Sequence, residues 1–203
     1  MLRSPGQCAR RLPRHHKSLR NIVGGSRNMT FAIHDGLFSE PELANLDLPT
    51  DHYRPVTEYA PDKVVMDLWP QSAERPKSTT SFMIGHEEPD ADTLSVAAQR
   101  ISASCFAHVP WTVCHARYFH YDIGHRVVRH VDGTDKQMAA ILYLSPDWDP
   151  SCSGELEVEF EGQTLDVPPM RGRVVVVGPD VPHGTKQVQR GERVSLVFFY
   201  ANT

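Results

Sequence analysis

A chain of 203 residues is long enough for one domain with a real core and too short for two of ordinary size. Hydrophobic residues at 40% and charged residues at 23% describe an ordinary soluble globular protein, and no apolar run reaches the roughly 18 residues that a membrane span needs. The net charge of -4 hides an asymmetry: residues 1–34 carry seven Lys or Arg and no acid, while the remainder carries 14 basic against 25 acidic side chains, a body too acidic to track phosphates, so nucleic acid is not the expected substrate.

The chain opens with a basic stretch, residues 1–29, rich in Arg, Ser and His and without the apolar core of a secretory signal. It is expected to be a disordered arm; a transit-like segment, or sequence upstream of a true start at Met29, are the other readings. Residues 30–203 are expected to form a single domain. Phe31-Ala32-Ile33 reads as a strand, and Ser39-Glu40-Pro41-Glu42 has the serine, early proline and third-position glutamate that start a short helix running to about Leu46. Residues 49–62, dense in Pro, Asp and Thr, read as loop. Val64 to Leu68 and Thr80 to Ile84 look like strands, and the polar residues 69–78 between them are either a lid or a plain connection. From Asp92 to about Ala107, Leu94, Ala97, Ala98, Ile101 and Cys105 recur at helical spacing, with Asp92 or Thr93 as cap and the apolar stripe packed on the outside of a sheet.

Beyond Trp111 the pattern changes to short strands between turns: Thr112 to Tyr121, Arg126 to His130, Met138 to Leu144, Glu155 to Phe160, Gln163 to Val167, Arg173 to Val177 and Val194 to Tyr200. That spacing predicts a sandwich or barrel. Glu155, Glu157, Glu159 and Glu161 alternate with Leu156, Val158 and Phe160, giving that strand one wet and one buried face. The cysteines Cys8, Cys105, Cys114 and Cys152 form no C-x-x-C pair and read as reduced thiols of a cytoplasmic protein, with Cys105 and Cys114 as small buried hydrophobes.

Chemistry concentrates between Tyr121 and Gly133. His130 and Asp132 stand two apart, so at a strand end both project from one face toward a single point. A third ligand could come from His183, 53 positions on, if a returning strand brings it alongside; alone, Pro182-His183-Gly184 could be a mere turn. Two imidazoles and one carboxylate on one side of a metal suit non-haem Fe(II) that activates O2. Ten residues further, Arg193 leads into the apolar run Val194 to Tyr200, a costly place for a guanidinium unless a carboxylate meets it. A surface Arg193 paired with Glu192 or Asp180 is the bland alternative. Ser195 shares its face. Tyr121 is either a pocket wall or core. Arg129 should point away from the His130 face into solvent, Trp69 and Trp148 are core or rim before they are pocket walls, and the other histidines, His120 and His125 included, receive no chemistry.

This set, His-x-Asp with a distal His and then an Arg, resembles the Fe(II)/2-oxoglutarate-dependent dioxygenases, in particular the prolyl 4-hydroxylase-like group. Tyr121-x-x-Gly124, Ile141-Leu142-Tyr143-Leu144-Ser145, Asp147-Trp148 and Ser153-Gly154-Glu155-Leu156, the last where that family usually has Gly-Gly-x-Leu, extend the likeness from about Tyr118 to Tyr200. The resemblance implies a double-stranded β-helix, or jelly roll, of cupin-like architecture, mainly β with flanking N-terminal helices. It implies Fe(II) held by His130, Asp132 and His183, with 2-oxoglutarate and O2 as cosubstrates and ascorbate as an accessory reductant. Arg193 would bind the distal carboxylate of 2-oxoglutarate, with Tyr143 in the position of the tyrosine that reaches the same group in the oxygen-sensing prolyl hydroxylases, and with Ser195 and Tyr121 beside it. Asp132, which related halogenases replace with a small residue, implies hydroxylation of an unactivated carbon, coupled to decarboxylation of 2-oxoglutarate to succinate. The substrate is expected to be a prolyl residue or an amino-acid-like small molecule, chosen by residues 50–80 and 145–153. A cupin-like metabolite-binding module without turnover is the competing reading. An AlkB-type nucleic acid demethylase fits less well because position 199 is Phe where a second Arg is expected, and a JmjC-type enzyme would use a lysine in place of Arg193.

Overall fold

Which side chains meet in this protein is decided by parity along its strands. A computed structural model describes residues 30–47, 54–55, 81–83, 91–106, 111–132 and 137–202. In chain order the elements are β1 (Phe31–His34), α1 (Glu40–Ala44), β2 (Arg54–Pro55), β3 (Ser81–Met83), α2 (Ala91–Cys105), β4 (Trp111–Tyr121), β5 (Val127–His130), β6 (Gln137–Tyr143), β7 (Leu156–Phe160), β8 (Gln163–Val167), β9 (Val174–Val177), β10 (His183–Thr185) and β11 (Arg193–Asn202). Their pairings are antiparallel and build two sheets, one ordered β1-β9-β6-β11-β4-β3-β2 and a smaller one ordered β5-β10-β7-β8. The two facing sheets agree with the sandwich that the strand spacing suggests and with the mainly β, double-stranded β-helix architecture that the resemblance implies.

The middle of the larger sheet is buried on both faces, so β9 is apolar at every position and β6 nearly so. In β9, Val175 and Val177 face the smaller sheet and join Ile141, Tyr143, Leu156, Val158 and Phe160 in the inner core. Val174 and Val176 face the other way, into an outer core with Leu142, Leu196, Phe198 and the helical residues Ala97 and Ile101. The outer layer is pinned by two buried tyrosines: the Tyr118 hydroxyl donates to the Leu46 carbonyl and the Tyr200 hydroxyl to the Ala98 carbonyl, both at 2.9 Å. Arg173, buried, ties the start of β9 to Asp35 after β1 through two bonds of 2.8 Å. The β7 strand alternates buried and half-buried residues, as its glutamates require.

Two expectations are corrected. α2 begins at Ala91, which places Asp92 and Thr93 within its first turn and not at its cap. Residues 54 and 55, within the stretch read as loop, pair with Phe82 and Ser81. The returning strand on which the role of His183 depended is present as β10, an element too short for alternation to reveal. The arm 1–29, the strand Val64 to Leu68, the loop 69–78 with Trp69, and His52, His86 and His108 lie outside the described residues.

Candidate metal centre and its cavity

β5 and β10 are neighbours in the smaller sheet, and their register sets His130 directly opposite His183. The two rings lie 4.5 Å apart between centroids. Asp132, two residues past the end of β5, brings one oxygen to 3.5 Å from His130 Nε2 and 3.9 Å from His183 Nε2. One ligand atom from each of the three lies within 4.8 Å of the others. Ligands about 2.1 Å from one ion and at right angles to each other stand about 3 Å apart, so a small inward adjustment would let all three hold one metal.

The backbone fixes the tautomers. His130 Nδ1 donates to the Val128 carbonyl and His183 Nδ1 to the Val181 carbonyl, each at 2.9 Å and each two residues back in the chain. Both Nε2 lone pairs are thereby left facing the centre, as metal binding requires. Burial holds the His183 imidazole below its ordinary value, although the Asp132 charge opposes this. For His130, burial again pulls downward most strongly, but the hydrogen bonds to Asp132 and to the Val128 carbonyl, together with the Asp132 charge, outweigh it and the net shift is upward. Burial pushes the Asp132 carboxyl up, yet the two imidazoles hold it lower overall. A carboxylate flanked by two imidazoles with shared polarity is a set of donors for a divalent cation.

Gly184 explains why β10 can lie so close to β5. A Cβ at this position would come within 2.9 Å of the Val127 carbonyl oxygen and 3.0 Å of the Arg129 nitrogen, both backbone atoms that cannot swing aside. The glycine lets two ligand-bearing strands approach.

The triad opens into a cavity of about 310 Å³ between the sheets. Its closed end is formed by Arg193, 3% exposed at the start of β11, whose guanidinium lies 4.7 Å from the Tyr121 ring centre and 5.0 Å from that of Tyr143. Glu192 turns away to His120, at 2.6 Å, so the surface pairing considered for Arg193 is not made. Arg193 Nη2 sits 3.5 Å from the Tyr143 hydroxyl, a long contact, and its Nε is buried with no hydrogen-bond partner. Buried donors of this kind are nearly always satisfied, so this one fits a planar anion such as a carboxylate. Burial raises the Tyr121 and Tyr143 hydroxyls, with Arg193 opposing, which leaves both phenols neutral donors. Ser195, two residues along β11, lines the same cavity.

The structure therefore gathers His130, Asp132, His183, Arg193, Tyr121 and Ser195 on one cavity, with Tyr143 reaching it through Arg193. Residues 145–153 are not part of the cavity's lining. Within them Trp148 Nε1 donates to the Ser153 carbonyl at 2.8 Å, and the Cys152 carbonyl accepts from the Gln189 backbone N–H at 2.8 Å. Arg129 is exposed and paired with Glu159, as strand alternation requires. One lining residue had escaped notice, Arg117, because an arginine in a strand looks solvated until the register turns it inward.

Residues 116–201 match the family model of the 2OG-Fe(II) oxygenase superfamily. A 69-residue stretch, 33% of the chain, is 33% identical to prolyl 3-hydroxylase 1 of Gallus gallus and spans about 10% of that protein's length. Among solved structures, a Pseudomonas putida prolyl-4-hydroxylase superposes with a TM-score of 0.61 at 20% identity, covering 85% of this chain and 92% of the other. A Trichoplax adhaerens prolyl hydroxylase, in complex with an oxygen degradation domain peptide fragment of hypoxia inducible factor, superposes with a TM-score of 0.62 at 15% identity, covering 85% and 83%. These likenesses establish the same fold.

Proposed function

We propose that this chain, whose residues 116–201 match the 2OG-Fe(II) oxygenase superfamily model, is a dioxygenase of the prolyl 4-hydroxylase-like kind that hydroxylates an unactivated carbon while 2-oxoglutarate is converted to succinate. The observation that carries the reading is the juxtaposition of two convergent imidazoles and a carboxylate with a buried guanidinium whose Nε lacks a partner. When bound, Fe(II) supplies the activation of O2 that cleaves 2-oxoglutarate and oxidises the substrate.

In this reading His130 and His183 would hold the metal through their Nε2 atoms and Asp132 through a carboxylate oxygen, a ligand set that suits Fe(II). Arg193 takes the distal carboxylate of 2-oxoglutarate through its fork, and Tyr143 adds its hydroxyl. Ser195 can donate to the same group, and the Tyr121 ring walls it from water. Because the cosubstrate is anchored at the closed end, its reactive end is aimed at the triad and little of the chemistry depends on chance orientation. Ascorbate would serve only to restore the reduced metal. The substrate is a prolyl residue or an amino-acid-like small molecule; the acidic body favours either over nucleic acid. Among the described residues no helix is long and apolar enough to cross a membrane. A cytoplasmic setting belongs to the same reading, since scattered cysteines without C-x-x-C pairs suit a reducing compartment.

The test is succinate formation from 2-oxoglutarate by Fe(II)-loaded protein, across a panel of amino acids, proline-containing peptides and related metabolites. A panel member should stimulate succinate release and gain an oxygen atom, and His130→Ala or His183→Ala should abolish both. Full turnover by either metal-checked variant would refute the ligand assignment, and binding of 2-oxoglutarate without turnover on any substrate would favour a binding module.

A further inference from the structure

Arg193 reaches into the cavity from a backbone that is held differently on its two sides. Toward β4 the ladder is complete, with Arg193 opposite Tyr121 and Val194 opposite His120. Toward β6 it is not: the β11–β6 register begins at Ser195 opposite Tyr143, the last residue of β6, so Arg193 and Val194 lie beyond its end. Ser145 takes over there. Its Oγ accepts from the Val194 N–H at 2.8 Å, and its hydroxyl reaches the Val194 carbonyl at a longer 3.4 Å. The Leu144 N–H donates to the same carbonyl at 3.0 Å. Ser145 is 1% exposed, so solvent does not compete for these bonds.

The Arg193 side chain depends heavily on that backbone. Gly154 lies against its stem: a Cβ there would stand 3.5 Å from Arg193 Cδ and 3.1 Å from Val188 Cγ2, and the glycine offers no side chain to steer the arginine. The head has no partner at Nε and only a long contact of 3.5 Å from Nη2 to the Tyr143 hydroxyl. Its other neighbours are the ring faces of Tyr121 and Tyr143. A cation over a ring is attracted without the strict direction of a hydrogen bond. Where the fork points is therefore set by the backbone at the start of β11, and that backbone is fixed on its β6 side through Val194.

We infer that Ser145 is a positioning residue for the cosubstrate anchor: by completing the sheet at Val194 it sets the direction of the Arg193 fork, and with it the selectivity of the cavity for a 2-oxo diacid over a 2-oxo monoacid. The inference rests on the dioxygenase reading and deepens it. Ser145 is not part of the cavity's lining and acts through the chain, one residue from the anchor. A two-bond grip on a planar carboxylate tolerates little error of direction. Binding at the triad and packing against the apolar walls do not involve Arg193. Loss of the Ser145 hydroxyl also strands the Val194 N–H without its acceptor, so the first residues of β11 must shift to find another. The diacid should feel that shift, and the monoacid should not.

The experiment compares 2-oxoglutarate with 2-oxopentanoate, the same carbon chain without the distal carboxylate, each titrated by calorimetry into the anaerobic, Fe(II)-loaded full chain. A charged, two-point contact predicts that the intact protein prefers the diacid by about tenfold to a hundredfold. Ser145→Ala should cut that preference about tenfold, through the diacid alone and with Fe(II) affinity unchanged. Ser145→Thr, which keeps the hydroxyl, should retain the preference. Ser145→Cys, which keeps the volume but offers only a weak acceptor, should lose it as alanine does, and it decides the matter if the alanine protein does not fold. An alanine or cysteine variant that melts lower yet keeps the full preference would show that the serine serves the fold alone, and would overturn the inference. Equal weakening of both acids, or a threonine variant that behaves like alanine, would overturn it as well. An intact protein that binds both acids alike, or neither, would count against Arg193 as the anchor and against the dioxygenase reading itself, and the inference would fall with them.

Discussion

Arg193 is held in a costly position before any ligand arrives. Its charge is 3% exposed between two tyrosine rings, and among the described residues it has no carboxylate partner. Removing a buried charge that lacks a partner should not weaken the ligand-free fold. Arg193→Gln is therefore expected to leave the ligand-free melting temperature unchanged or raised, while 2-oxoglutarate binds about tenfold to a hundredfold more weakly by calorimetry. A fall in both would mean that the arginine serves the fold. A second residue carries local strain: Ser153 has a φ of 54°, in the left-handed region, at the place where the resembling family usually has glycine. Ser153→Gly should stabilise the protein by up to about 1 kcal/mol in urea denaturation, since the relief of strain exceeds the loss of a hydroxyl contact to Glu155 at 3.2 Å.

Two elements have to approach unusually closely for the centre to exist, and Gly184 is where they do so. Gly184→Ala must push β10 away from the backbone of Val127 and Arg129. The expected cost is about 1–3 kcal/mol, with weaker Fe(II) binding because His130 and His183 face each other across the same pair of strands. Chemical denaturation and metal titration would both register it, and an alanine variant with unchanged metal affinity would contradict this account of the junction. The β4–β11 pair has its own pH dependence outside the cavity. The Glu192 carboxylate raises the buried His120 above its ordinary value of 6.5, with burial opposing, and is itself held below its ordinary value of 4.5 by His120. The histidine's contribution is full below 6.5 and fades as pH rises through its raised value; the glutamate's is full above 4.5 and fades as pH falls through its lowered one. Stability from this pair should thus be greatest between those limits, and Glu192→Gln should flatten the profile by less than about 1 kcal/mol, since Glu192 is partly solvated.

At the level of the whole molecule, pattern and register were readable to different degrees. The alternation of Leu156, Val158 and Phe160 with glutamates, the helical spacing of Ala97, Ala98 and Ile101, and the apolar run Val174 to Val177 all named their elements, because each buries a face whose period is written in side chains. His130 and Asp132 were legible as a pair for the same reason. β10 was not, since three residues show no period, and Arg117 was not, since only the β11 register reveals which face of β4 looks inward. The convergence of His183 on His130 across 53 residues is a property of the assembled sheets, and it is the claim on which the proposed function depends. Its most direct test is an anaerobic titration of the intact protein with Fe(II) and 2-oxoglutarate, followed by visible absorption. A weak charge-transfer band that needs both components, and that is lost in His183→Ala although the variant remains folded, is the result expected. A band that survives in His183→Ala, or an intact protein that binds Fe(II) and 2-oxoglutarate without developing one, would contradict the account.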